Sequence, residues 1–146
     1  MDNNKRWIGA SMTDLDDVPA PQGDLTLKVL ARRQDTNFYG DISGGWLIDQ
    51  MDQAAELCAG RLAHGRTATV AVESMDFLCP VRIGSVVNIF TAVRDIGHSS
   101  ITIDAEVWIR SPHERNPDEL YKVTEARFVM VALDDNGRIR AVPTEP

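Results

Sequence analysis

The chain has 146 residues and a formal net charge of −7, with 25% of its residues charged and 43% hydrophobic. That length suits one domain with a single core. The acidic balance excludes a non-specific nucleic-acid binder, which needs a basic face, but not a local basic patch for one phosphorylated ligand.

Residues 1–23 are polar, acidic and Pro-bearing and read as a flexible arm. They lack the apolar core of a signal peptide, and no run elsewhere approaches the ~20 apolar residues that span a bilayer. Cys58 and Cys79 form no Cys-x-x-Cys pair, and with only His64, His98 and His113 beside them no zinc spacing arises. A cytoplasmic protein with reduced thiols, no metal and no separate cofactor is expected.

The domain proper is expected over residues 24–146. Leu25, Leu27 and Val29 alternate with Thr26 and Lys28, the period of a strand. A polar, Gly-rich loop follows and runs straight into a helix, DTNFYGDISGGWLIDQMD. Helical periodicity holds over residues 45–64, with Leu47, Met51, Ala54, Cys58 and Leu62 as an apolar stripe and Asp49, Gln53, Glu56 and Gly60 as a polar one. Gly65 is the expected C-cap. Asp52 lies on the flank with Ile48, Ala55 and Ala59, small and apolar neighbours that predict a covered surface. The remainder reads as strands: TATVAVESMDFL, VVNIFTAV, ITIDAEVWI with Ile101, Ile103, Ala105, Val107 and Ile109 on one face, and YKVTEARFVMVAL before the turn Asp134-Asp135-Asn136-Gly137. One long helix followed by antiparallel strands is an α+β pattern, and the helix must be buried against the sheet.

The loop-helix junction carries the chemistry. A helix start offers unpaired N–H groups and the positive end of a dipole. Gly44 and Gly45 let a ligand oxygen approach that bare backbone, as an oxyanion hole or as a tight turn only. Asp52, about two turns further in, is either a solvated helix carboxylate or the group that activates a water beside that oxygen, as general base or as nucleophile. Asn37 is either an Asx-turn residue or a group that positions the water or the carbonyl. Asp41 reads as the helix cap or a contact between subunits.

These segments, with AHGRTATVAVESMDFLCPVRIG, IGHSS, AEVWIR and YKVTEARFVMVALDDNG, resemble the bacterial YciA-type acyl-CoA thioester hydrolases over roughly Leu25 to Pro143. The resemblance implies a hotdog fold, an antiparallel sheet wrapped around one central helix. It implies hydrolysis of acyl-CoA to a free acid and CoA by dimers, often trimers of dimers. The family's helix carboxylate falls on Asp52, its loop asparagine on Asn37 and its helix-start glycines on Gly44 and Gly45. Three positions depart from the pattern. Ser43 stands where a bulky residue or His is frequent, Gly84-Ser85 where Gly-Asp is usual, and His98 where a basic residue commonly precedes Ser-Ser. The first bears on acyl preference and the last on the grip on a CoA phosphate.

An acidic protein that binds CoA needs a few convergent basic groups. Arg110 with Ser99 and Ser100 is the expected phosphate edge, ahead of Arg82, Arg94 and His98. Val70, Ser74, Met75 and Phe77 are candidates for the pantetheine and acyl channel, or equally for core. A non-catalytic acyl-CoA-binding module is the alternative, although it could dispense with Asp52. A hotdog hydratase or dehydratase wants an imidazole at the acyl β-carbon, and all three His lie outside the motif. A curved sheet with exposed edges predicts a homo-oligomer, at least a dimer.

Overall fold

The computed structural model describes residues 19–77, 79–116 and 118–144; Ser74 and Met75 are placed in their strand, but their side chains lie outside the description, as does the arm over residues 1–18. Five strands form one antiparallel sheet in the order β1-β3-β4-β5-β2. They are β1 (Asp24–Leu30), β2 (Thr67–Phe77), β3 (Val86–Ile96), β4 (Ser100–Arg110) and β5 (Tyr121–Ala132). A helix, α1 (Gly44–Ala63), lies between β1 and β2 in the chain and packs across all five strands.

The inner face of β4 is the predicted one: Ile101, Ile103, Ala105, Val107 and Ile109 are all buried. They meet Ile89 of β3, Phe128 and Met130 of β5, and Leu47 and Met51 of α1 in one core. Each large side chain removed from water there contributes about 2 kcal/mol. The buried stripe of α1 is rotated from the one read in sequence. Ala55, Ala59 and Ala63 are fully buried beside Met51 and Ala54, whereas Cys58 and Leu62 are only half-buried. Methyl-sized side chains let the helix axis approach the sheet, so the predicted flank is covered by the sheet at Ala55 and Ala59, whereas Ile48 on the same flank stays exposed. Asp52 lies on that flank.

Two differences in the elements have local causes. β3 continues three residues past its apolar run to Ile96, because the ladder with β4 persists beyond a bulge between Val93 and Asp95 up to the Gly97–Ser100 turn. At the end of α1 the left-handed residue is His64, with φ 55°, rather than Gly65. Both His64 and Gly65 return their N–H groups to the Gly60 carbonyl. The Asp134 turn forms as read: Asp134 Oδ1 accepts from Asn136 N and Arg138 N, each at 2.9 Å, and Gly137 takes a φ of +79°.

Candidate active site

The loop between β1 and α1 is built from its own polar groups. A short 3-10 turn, Arg33–Asp35, is pinned by Asp35 Oδ2, which accepts from Arg32 N at 2.9 Å. Beyond it the tip doubles back on Asn37. The Asn37 side-chain oxygen accepts from Tyr39 N at 2.9 Å and Asp41 N at 3.2 Å, and Asn37 N donates to the Asp41 carbonyl at 2.6 Å. The Asx-turn reading of Asn37 is therefore realised, and among the described residues no hydrogen bond engages the side-chain nitrogen of this exposed residue. At the tip Phe38 and Tyr39 meet edge to face with 95% and 85% of their surfaces exposed.

Ser43, not Asp41, caps the helix: its Oγ accepts from Trp46 N at 3.4 Å. A hydroxyl two residues further along reaches the first-turn N–H groups, while Asp41 is spent on the tip. Gly44 N–H and Gly45 N–H have no hydrogen-bond partner among the described residues. A Cβ on Gly45 would meet only Ser43 Oγ, at 3.5 Å, and one on Gly44 only the Phe77 ring, from 3.5 Å. The Phe77 ring thus lies over the helix start. Beside it a cavity of about 380 Å³ is lined by Ile42, Gly44, Leu47, Phe77, Cys79 and Val81 among others. Burial pushes the Cys79 thiol up, and its Sγ donates to the Lys122 carbonyl, which marks an inert structural thiol.

Asp52 is half-buried, and its Oδ1 accepts from Thr69 Oγ1 on β2. Thr69 Oγ1 also lies 3.4 Å from Met130 Sδ, a weak acceptor beside the carboxylate. Sequence reading missed Thr69. The signal was the alternation of TATV, which sets Thr69 on the opposite side of the pleat from Val70. Val70 is 57% exposed.

Eight residues of helix separate Gly44 from Asp52, a rise of about 12 Å. The helix start and Asp52 of one chain are thus set about two turns apart along α1, as their spacing in sequence implies. The expected phosphate edge is split. Ser100 opens β4 and Arg110 closes it, about 33 Å apart along the strand. Arg110 shares the outer face with Glu106 and Trp108, but both of those are buried, and the Arg110 Nε has no partner among the described residues. Arg94 is committed to Asp104. Arg82 and His98 are exposed.

A larger cavity, about 600 Å³, lies on the outer face of the sheet, away from α1. In its lining Arg94 and Arg127 both pair with Asp104, while Glu106 and Glu125 pair with Lys122 outside it. Burial alone would raise the Asp104 carboxyl, but hydrogen bonds and charge from Arg127 and Arg94 outweigh it and hold it below the ordinary carboxylate value. Among the described residues no three His, Cys, Asp or Glu side chains converge as metal ligands, and no helix is long and apolar enough to cross a membrane.

A curved antiparallel sheet with one long helix on its inner face is the hotdog class of fold. A family model for the thioesterase superfamily matches residues 39–115. The acyl-CoA thioester hydrolase YciA of Escherichia coli is 46% identical over 125 residues, covering 86% of this chain and 95% of its own. The chain belongs to the thioesterase superfamily. Among solved structures, a hexameric broad-specificity acyl-coenzyme A thioesterase superposes with a TM-score of 0.83 at 44% identity, covering 88% of this chain and 87% of its own. An acyl-CoA hydrolase of Staphylococcus aureus, solved with butyryl coenzyme A and coenzyme A, superposes with a TM-score of 0.72 at 26% identity, covering 80% and 70%. Alanine variants of the latter at an asparagine, an aspartate and a threonine have also been solved. Those positions are separated by 15 and 17 residues, the separations of Asn37, Asp52 and Thr69 here.

Proposed function

We infer that this chain is an acyl-CoA thioester hydrolase that releases a free acid and CoA, with Asp52 as its working carboxylate. The observation that carries this reading is the Asp52–Thr69 pair on the covered flank of α1, in a chain whose relatives are acyl-CoA thioester hydrolases. Asp52 takes a proton from water as that water attacks the carbonyl, or attacks it directly to give an anhydride that water then opens. The thiolate of CoA is a good leaving group, so no dedicated acid is required. The thioester oxygen is received by the unpartnered N–H groups at Gly44 and Gly45, and Asn37 offers its free amide N–H₂ to the water or the carbonyl. In the proposed dimer the helix start and Asn37 of one subunit face Asp52 of another, an arrangement that suits the rise of about 12 Å between the two along α1. The related thioesterases of solved structure are hexameric, and an oligomer of this chain would supply that pairing. Phe77 flanks the acyl end of the channel, with Val70, Ser74 and Met75 further along β2. Ser99, Ser100 and Arg110, on different subunits, are the proposed contacts to CoA. The reaction draws on no metal or separate cofactor, and the reduced thiols suit the cytoplasm.

A hydratase reading has little to work with. His64 ends α1 at the far end from the glycines, His98 lies in the β3–β4 turn and His113 follows β4.

The test is an acyl-CoA panel followed by free-thiol release. Asp52→Asn, an isosteric amide without basicity, is expected to lose at least ~100-fold in kcat with an unchanged circular dichroism spectrum. A variant that keeps most of its turnover sinks the assignment. Mixing Asp52→Asn with Asn37→Ala subunits is expected to regenerate activity that neither has alone, because one site of each mixed pair is then intact. Failure to complement after verified subunit exchange would put both groups in one chain.

A further inference from the structure

The cavity beside the helix start has one charge in its wall. Ile42, Leu47, Phe77, Pro80 and Val81 make it apolar, and Asp41 is the sole charged residue that lines it among the described residues. The loop tip claims only the backbone of Asp41, whose N–H donates to Asn37 Oδ1 at 3.2 Å and whose carbonyl accepts from Asn37 N at 2.6 Å. The carboxylate is left over: among the described residues it accepts no hydrogen bond and forms no ion pair. Because Ser43 caps α1, this charge serves neither the turn nor the helix. Gly44 lines the same cavity, so a thioester oxygen resting on the helix start leaves its acyl group beside it.

We propose that this cavity seats the acyl group and that Asp41 makes it selective by charge: acyl groups ending in a methyl or a cation are taken, and those ending in a carboxylate are refused. The inference rests on the acyl-CoA hydrolase reading, in which Gly44 and Gly45 hold the thioester oxygen. An aliphatic chain displaces water from the apolar wall and is favoured in proportion to the area it covers. A terminal carboxylate loses water against the same wall. It also meets the like charge of Asp41, and no Lys, Arg or His lines the cavity to offset that repulsion. The positive end of α1 is an attraction on the other side, but productive binding commits its N–H groups to the thioester oxygen. A carboxylate that takes those N–H groups instead leaves the thioester unheld, and no turnover follows. Both routes act against a dicarboxylic thioester. A terminal ammonium is desolvated as well, but it finds a partner in Asp41.

Butyryl-CoA, β-alanyl-CoA and malonyl-CoA isolate the charge, because a methyl, an ammonium and a carboxylate oxygen stand at the same distance from the thioester carbonyl. The experiment measures kcat/KM on each by free-thiol release at low ionic strength, for wild type, Asp41→Asn and Asp41→Lys. Ratios taken within one enzyme cancel any change in its overall turnover. Wild type is expected to favour butyryl-CoA over malonyl-CoA by at least ~30-fold. Asp41→Asn should narrow that ratio about fivefold, the share of a single exposed charge, while the apolar wall keeps the rest. Asp41→Lys should narrow it further and bring β-alanyl-CoA below malonyl-CoA. A wild-type enzyme that hydrolyses malonyl-CoA as readily as butyryl-CoA overturns the proposal, as do ratios that ignore both substitutions. Should Asp41→Lys not fold, the Asp41→Asn ratio decides alone, and an unchanged value overturns the role of Asp41. Thiol release from none of the three, or an Asp52→Asn enzyme with full turnover, removes instead the reading on which this rests.

Discussion

At its C-terminal end, α1 is closed by its own chain. The N–H groups of His64 and Gly65 return to Gly60, and Arg140, from the segment after β5, gives Nη2 to the Ala63 carbonyl at 2.6 Å and Nε to the Leu133 carbonyl at 2.8 Å. At its N-terminal end, a long contact from Ser43 serves Trp46, and the N–H groups of two glycines are left without a protein acceptor among the described residues. Both ends carry the same number of orphan backbone groups by construction. The contrast is in what they are given. Where the helix needs only to stop, the polypeptide supplies partners. At the end proposed to face the thioester, the partners are withheld and the side chains are reduced to hydrogen.

Gly45→Ala is the sharpest way to break that contrast. The added methyl meets nothing but Ser43 Oγ, and Ala is better than Gly in a helix by roughly 0.5–1 kcal/mol. Stability should hold or rise. On the proposed reading the methyl stands where the thioester oxygen approaches, and a displacement of about 1 Å costs on the order of 100-fold in kcat. A Gly45→Ala enzyme with full turnover would make Gly45 a turn residue only.

Arg140→Ala is the mirror experiment. It strips charge-assisted hydrogen bonds from the closed end, at about 1.5–3 kcal/mol, so thermal unfolding should shift down by several degrees. kcat at a temperature where the variant is folded should stay within about twofold. A large loss of kcat at full folding would tie the two ends together.

The smallest effect is expected on the outer face of the sheet. The Asp104 carboxyl is held low by Arg127 and Arg94 against the burial that would raise it. A depressed carboxyl stabilises the fold above its ordinary value of 3.8 and loses that contribution as pH falls through and below it. Asp104→Asn should therefore lower the melting temperature by a few degrees at most near pH 7, because both arginines are largely exposed. The difference should shrink as pH falls through and below 3.8. A gap that persists undiminished into acid would mean that packing, not charge, is lost.

These contrasts also mark how far the sequence can be read. Alternation in ITIDAEVWI and helical spacing from Gly45 onward locate elements to within a residue or so, because each side chain reports its own environment. That the flank of Ala55 and Ala59 is covered was legible from its small side chains, but not by what: alanine is small enough to sit on either side of a helix, and only the sheet decides. Thr69 was hidden for a related reason. A threonine in a β-branched run looks like strand propensity, and its hydroxyl acquires meaning only when a distant helix brings Asp52 to it. Ser43 and Asp41 were exchanged because both are good caps, and the loop tip, which claims Asp41, is fixed by backbone geometry. The separation of Ser100 from Arg110 was implicit in the length of β4. The chain alone leaves open which copy would meet which.

The hydrogen bond between Thr69 and Asp52 joins two elements that count residues differently. The helix brings a side chain back to the same direction every 3.6 residues, the strand every 2. Deleting one residue early in β2 would turn the Thr69 hydroxyl to the far side of the sheet, while deleting one before Asp52 in α1 would swing its carboxylate by about 100°. Neither error can correct the other. Length changes in this lineage should thus be confined to the connection at His64, Gly65 and Arg66 and to the loop tip around Tyr39, where added chain costs little. Insertions there are a record of tolerance, and uninterrupted spacing from Asp52 to Ala63 and from Thr67 to Thr69 is the signature by which a descendant that still hydrolyses thioesters can be told from one that has kept only the fold.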